Sequence, residues 1–246
     1  MKKRIFAFAA VGMLLFTAAA VADTVTIDAI TGEWSNAIDE FGQPRPEWIY
    51  NGLSNPGDVS GIVEWGESAF EWYSAITPLL VPTGMPFRLG TFSHINMPMD
   101  ESAVTLGSVN LNLSIGNFEN PSTINTTVQF SLDATMDNLN PCPYPTYGRY
   151  GCSDLVTISD FFYDEQITDN GGNLYYLSLL GFSNDEGNTF TYSYVTQEYM
   201  AGNPRLYAIV TNEPLSPATV PEPASMLLLS AGLGGVCLTI WRKKKK

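Results

Sequence analysis

Between its two ends this 246-residue chain has no lysine. Of its twelve Lys and Arg residues, three stand at Lys2, Lys3 and Arg4 and five at 242–246. Only Arg45, Arg88, Arg149 and Arg205 remain, against 25 acids that all lie between Asp23 and Glu222, a net charge of −21 for that stretch. Such a surface repels phosphate backbones, which excludes a nucleic-acid partner. With no lysine there is no amine for Schiff-base chemistry. Histidine is almost absent too: any Ser-His-Asp arrangement would have to use His94, and no Gly-x-Ser-x-Gly segment is present. His94 therefore reads as structural, hydrogen-bonding with Asn96 to pin a turn after a strand at Phe87. Cysteine is scarce, with three in all. Cys142 and Cys152 bracket PYPTYGRYG, and outside the cytoplasm that spacing predicts a disulfide. Closing so short a loop contributes about 2–3 kcal/mol through the unfolded state. Zinc is the alternative, but no histidine lies nearby to complete its ligands.

The ends carry what the middle lacks. MKKR, an apolar run and the small residues Ala20-Val21-Ala22 have the layout of a secretory signal peptide, residues 1–22, with cleavage between Ala22 and Asp23. Ala224 to Trp241 is 18 residues without a charge. As a helix it would span about 27 Å, near the bilayer core thickness. Cys237 lies within it. The cations at 242–246 hold that end on the cytoplasmic side, which places the body outside. Pro221-Glu222-Pro223 is stiff and helix-resistant, because each proline fixes φ and removes an N–H.

The order Val220-Pro221-Glu222-Pro223, glycine-bearing apolar helix, basic cluster resembles the PEP-CTERM sorting signal, over residues 220–246. The resemblance implies cleavage near the motif by exosortase, a membrane-embedded cysteine protease. It also implies transient anchoring, then passage to the cell surface or extracellular matrix of a Gram-negative-type bacterium. Bacteria with this system generally make exopolysaccharide, which makes that polymer a candidate partner.

In the body, residues 23–212, apolar residues recur with period two. Val25–Ile30, Val109–Ile115, Thr126–Leu132, Leu155–Ile158, Leu174–Phe182, Phe190–Val195 and Leu206–Val210 are predicted strands, each with one apolar face. Asn55–Asp58, Asp169–Asn173 and Asn184–Asn188 are predicted turns, the last a hairpin loop. Glu67–Ile76 is read as one or two helical turns. Residues 213–219 are a Pro-rich linker. The fold class is all-β, an antiparallel β-sandwich, jelly-roll-like or immunoglobulin-like.

Glu64-Trp65-Gly66-Glu67-Ser68, followed by the stretch from Phe87 to Pro98, resembles the THxN family of PEP-CTERM proteins, close to the choice-of-anchor K domains. Trp65, Gly66, Gly90, His94 and Asn96 carry the match, and Ser93 stands where the box has threonine. The resemblance implies an all-β fold and no reaction.

Three chemical options remain. Glu67 and Glu71, on one helical face, with Glu64 close by, could form paired carboxylates of a weak glycoside hydrolase. Trp65, Trp72 and Tyr73 could stack on sugar rings without catalysis, as in a carbohydrate-binding module. Calcium could be held by Asp164, Glu165, Asp169 and Asn170, or by Asp185, Glu186 and Asn188, although neither group has EF-hand spacing. The expectation is a protein without enzymatic activity or an obligate cofactor: an exported, acidic unit with a structural or adhesive role in exopolysaccharide. Carbohydrate binding is the runner-up, and a permanently anchored single-pass membrane protein is the third reading.

Overall fold

The computed structural model describes residues 23–51, 59–98, 103–117, 120–135, 141–146, 151–169 and 172–215, with backbone alone at 117 and 120–122. The expected signal peptide, sorting motif and membrane helix 224–241 lie outside these residues, as does most of the linker.

Among the described residues there are fifteen strands, one 3₁₀ turn at Pro46–Trp48 and no α-helix. The strands are β1 Thr24–Ile27, β2 Ala29–Asp39, β3 Ile49–Asn51, β4 Gly61–Trp65, β5 Ser68–Ser74, β6 Leu79–Pro82, β7 Pro86–Asn96 and β8 Leu106–Asn117. They continue with β9 Asn120–Asp133, β10 Asp154–Asp160, β11 Glu165–Thr168, β12 Leu174–Ser183, β13 Ser193–Thr196, β14 Met200–Gly202 and β15 Arg205–Thr211. All pairings are antiparallel. The smaller sheet runs β13-β10-β9-β8-β2 and the larger β11-β12-β15-β7-β5-β4-β3, with β14 also pairing β7; β1 and β6 form a separate ribbon.

The two large sheets meet through aromatic side chains. Trp34 on β2 lies 5.9 Å from Phe92 and 6.3 Å from Phe70 of the larger sheet, and 5.9 Å from Phe130 of its own. Phe92 and Phe130 face each other across the sheets at 4.6 Å. Such pairs add about 0.5–1.5 kcal/mol each beyond their area burial. Trp72 on β5 joins the layers most closely. A Cβ at Gly32 on β2 would stand 2.4 Å from its Nε1, and a Cβ at Gly90 on β7 would stand 2.4 Å from its Cη2. Glycine at both positions gives the indole its room. This face-to-face packing of inner faces is the arrangement of a sandwich.

The alternating runs at 109–115, 126–132, 155–158, 174–182 and 206–210 all lie within strands. Three expectations change. Glu67–Ile76 contains no helical turn: β5 occupies it, with Phe70 and Trp72 buried and Glu71 and Tyr73 half-exposed. An inner face of two aromatics suits a pleated surface better than a helix. Val25–Ile30 is two strands, broken at Asp28, because the chain leaves the β1–β6 ribbon there and joins β8. The strand expected at Phe190–Val195 is the shorter β13. The loop at 184–188 does double back, and Thr191 bridges Phe182. The returning strand then pairs with β10 in the other sheet, so this connection crosses between layers.

Candidate functional site

The family box lies on β4, β5 and β7. Gly66 and Glu67 form a two-residue hairpin loop closed by the Trp65–Ser68 pair. Gly66 has φ +63°, a positive φ at the first loop position that favours glycine. Trp65 turns inward, 4.9 Å from Phe70 and 6.0 Å from the His94 ring. His94 is fully buried, with Phe70 edge-on at 5.0 Å. Neither of its ring nitrogens has a hydrogen-bond partner among the described residues. Burial pulls its pKa down to about 3, so the ring is neutral. The expected pinning of a turn by His94 is thus corrected: His94 lies within β7, two residues before its end, with its ring among aromatics and bonded to none of the described residues. Asn96 does pin the chain, but elsewhere. Its Nδ2 donates to the Thr196 carbonyl at 3.0 Å, joining β7 to the end of β13. Gly90 is the close-approach residue above Trp72.

The carboxylates are dispersed or engaged. Glu64 is exposed on β4, Glu67 lies in the hairpin loop and Glu71 on β5, so no helical face joins Glu67 to Glu71. Trp65 and Trp72 are core residues, unable to offer a ring to a sugar; Tyr73 is the half-exposed one. Asp185 builds its own loop. Its oxygens accept Thr189 Oγ1–H at 2.7 Å, the Thr189 N–H at 2.9 Å and Ser183 Oγ–H at 2.7 Å. Those bonds hold its carboxyl at about 2. Asp169 accepts the N–H and Nδ2–H of Asn173 across the β11–β12 turn, each at 2.8 Å. Glu186 accepts from Arg205. Asn170 lies outside the described residues, among which no group of three or more His, Cys, Asp or Glu gathers as a cation site.

Cys142 and Cys152 form a disulfide. Its loop is tied down by Ser153 Oγ donating to the Pro145 carbonyl at 2.9 Å. Asp23, beside the expected signal cleavage after Ala22, accepts the Thr83 N–H on its carbonyl at 2.7 Å and Asn212 Nδ2–H on its carboxylate at 3.1 Å. At the other end of the body, Asp164 Oδ1 accepts the Leu215 N–H at 2.7 Å, and Tyr163 Oη donates to the Leu215 carbonyl. The chain is therefore clamped five residues before Val220.

A feature not anticipated from the sequence lies on the outer face of the larger sheet. A groove of about 510 Å³ is lined by Glu71 and Tyr73 of β5, Arg88, Thr91 and Ser93 of β7, and Asn203. Tyr73 Oη donates to Glu71 Oε2 at 2.8 Å. Burial and that carboxylate push the Tyr73 phenol up to about 12, so it stays a neutral donor. The one signal in the sequence was Arg88, a rare cation inside the box.

The predicted membrane span and Val220–Pro223 lie outside the described residues, among which no helix is long and apolar enough to cross a membrane. No curated protein matches the chain. Residues 219–245 do match the PEP-CTERM protein-sorting motif, which implies export, processing by exosortase and C-terminal sorting to the cell surface.

Proposed function

We propose that this chain is an exosortase substrate whose β body, once released from its anchor, serves as a non-catalytic structural or adhesive unit within extracellular polysaccharide. The match at 219–245 carries the reading, since the clamped body leads directly into it. The six residue steps from Leu215 to Pro221 reach at most about 22 Å, so the body stays near the protease while the tail is cut. The disulfide and the lysine-free acidic surface suit an extracytoplasmic compartment. A non-catalytic role agrees with an imidazole sealed among aromatics and with carboxylates committed to turns. The Trp65, Gly66, Gly90, His94 and Asn96 set, gathered on β4, its hairpin loop and β7 of one sheet, supports kinship of the body with the THxN and choice-of-anchor K type. The mass of protein recovered outside the cell tests the proposal. A C-terminus near Pro223 is expected; material that retains Trp241 would favour permanent single-pass anchoring.

A second reading, non-catalytic carbohydrate binding, is favoured by the groove beside Tyr73, whose lining mixes polar groups with the apolar side chains of Ile76 and Ile95.

A further inference from the structure

The groove on the larger sheet contains the one described arginine that is not already engaged. Arg45 Nη2 lies 2.8 Å from Asp39, and the Arg45 guanidinium stacks on Trp48; Arg205 lies 3.3 Å from Glu186. Arg88 makes no hydrogen bond or ion pair with any described residue. In a body with a net charge of −21, an unmatched guanidinium over a groove is out of keeping with the rest of the surface.

A local irregularity sets its direction. Tyr207 pairs with Arg88 and Leu206 with Gly90, so Leu89 is an extra residue on β7. A bulge of this kind shifts the in-out alternation by one. Arg88 and Thr91 consequently both line the groove, while Leu89 and Phe92 both point into the core. Across the strand pair, Tyr73 lies opposite Thr91 and Glu71 opposite Ser93. One wall thus offers a carboxylate held by a phenol, the other a guanidinium and hydroxyls, and Asn203 adds an amide at the rim.

We propose that this groove binds an acidic saccharide, with the carboxylate of a uronic-acid ring on Arg88 and ring hydroxyls donating to Glu71. The guanidinium fork matches a carboxylate in a planar, two-bond geometry. The Tyr73 ring gives an apolar surface for the C–H face of a pyranose, and Thr91 and Asn203 supply hydroxyl-matching partners, with Ser93 buried at the floor. A neutral sugar would leave Arg88 unmatched. A simple carboxylate would leave Glu71 and Tyr73 unused. An extended peptide would bind by adding a strand at a sheet edge, yet β7 is paired on both sides. The inference deepens the carbohydrate-binding reading above and is independent of how the tail is processed.

The test is affinity electrophoresis of exported protein recovered from cells, in gels containing polygalacturonate or, as control, dextran. About 0.15 M salt shortens long-range repulsion between the acidic protein and the polyanion to roughly 8 Å. Polygalacturonate should retard the protein and dextran should not. Arg88→Gln should weaken retardation about tenfold or more, with its melting temperature unchanged because the native side chain has no partner to lose. Arg205→Gln should bind as the parent does. No retardation by polygalacturonate, or equal retardation of the Arg88→Gln protein, overturns the proposal. Retardation by dextran alone overturns the uronate assignment while sustaining carbohydrate binding.

Discussion

Replacing His94 with leucine should leave the protein at least as stable at neutral pH and remove part of its sensitivity to acid. Both ring nitrogens are buried without partners, and such groups carry a desolvation cost of about 1–3 kcal/mol. Leucine has similar volume and no polar atoms, so it should sit beside Trp65 and Phe70 without that cost. The pH dependence follows from the folded pKa near 3 against about 6.5 in the unfolded chain. Between those values the unfolded state binds the extra proton, so stability rises with pH and is lost as pH falls below about 6.5. At pH 5 the loss is about 1.5 pKa units, or roughly 2 kcal/mol. For a domain of this size that lowers the melting temperature by about 4–8 °C. The assay is thermal unfolding of parent and His94→Leu proteins at pH 7.5 and pH 5. Carboxylates contribute acid sensitivity to both, so the difference between the two curves isolates His94. Parallel acid losses, or a leucine variant several kcal/mol weaker at pH 7.5, would refute the reasoning and mean that the imidazole is hydrogen-bonded.

Gly90→Ala should destabilise the body by about 1–3 kcal/mol or more, measured by urea unfolding, since the new methyl meets both the Trp72 ring and the Tyr73 carbonyl at 2.4 Å. Cys142→Ser should cost about 2–3 kcal/mol in the same assay; an unchanged midpoint would show that the closed loop does not restrain the unfolded chain. Asp39→Asn should lower the melting temperature at pH 7. Burial raises the Asp39 pKa, but the Gln43 N–H, the Arg45 side chain and the Phe41 N–H outweigh it and hold the carboxyl below its usual value. The stability it contributes is therefore present above about pH 4 and lost as pH falls through the folded pKa, and the gap between parent and variant should narrow in acid. Tyr163→Phe combined with Asp164→Gly should release Leu215 and speed limited proteolysis after β15, while melting of the body falls only by the lost Ser178 Oγ–H bond to Asp164, about 1 kcal/mol.

Period-two alternation was enough to place β8 and β9, and the density of Leu, Tyr, Phe and Val placed β12 and β15, although a bulge at Leu179–Gly181 and runs of three buried residues interrupt their alternation. The sorting tail was equally legible, since its signal is composition and order along the chain. Other elements were hidden for identifiable reasons. β2 was missed beyond Ile30 because Gly32 looks like a strand breaker until the Trp72 indole is seen lying against it. β5 read as a helical turn because Glu67, Glu71 and the tryptophans suggest helical spacing when taken alone. The groove was invisible because its residues come from β5, β7 and the segment before β15, and a single extra residue on β7 decides which way Arg88 points.

The sequence by itself determined where the chain is sent, its charge, its β character and its cysteine pair, since each is local in sequence or additive over it. Only the tertiary structure decided that His94 is sealed and unpartnered, that Gly32 and Gly90 make room for one indole between two sheets, and that Arg88 alone among the described arginines faces an open groove. Those outcomes depend on which strands become neighbours and in what register, and side chains far apart along the chain acquire their surroundings only when the sheets close on each other.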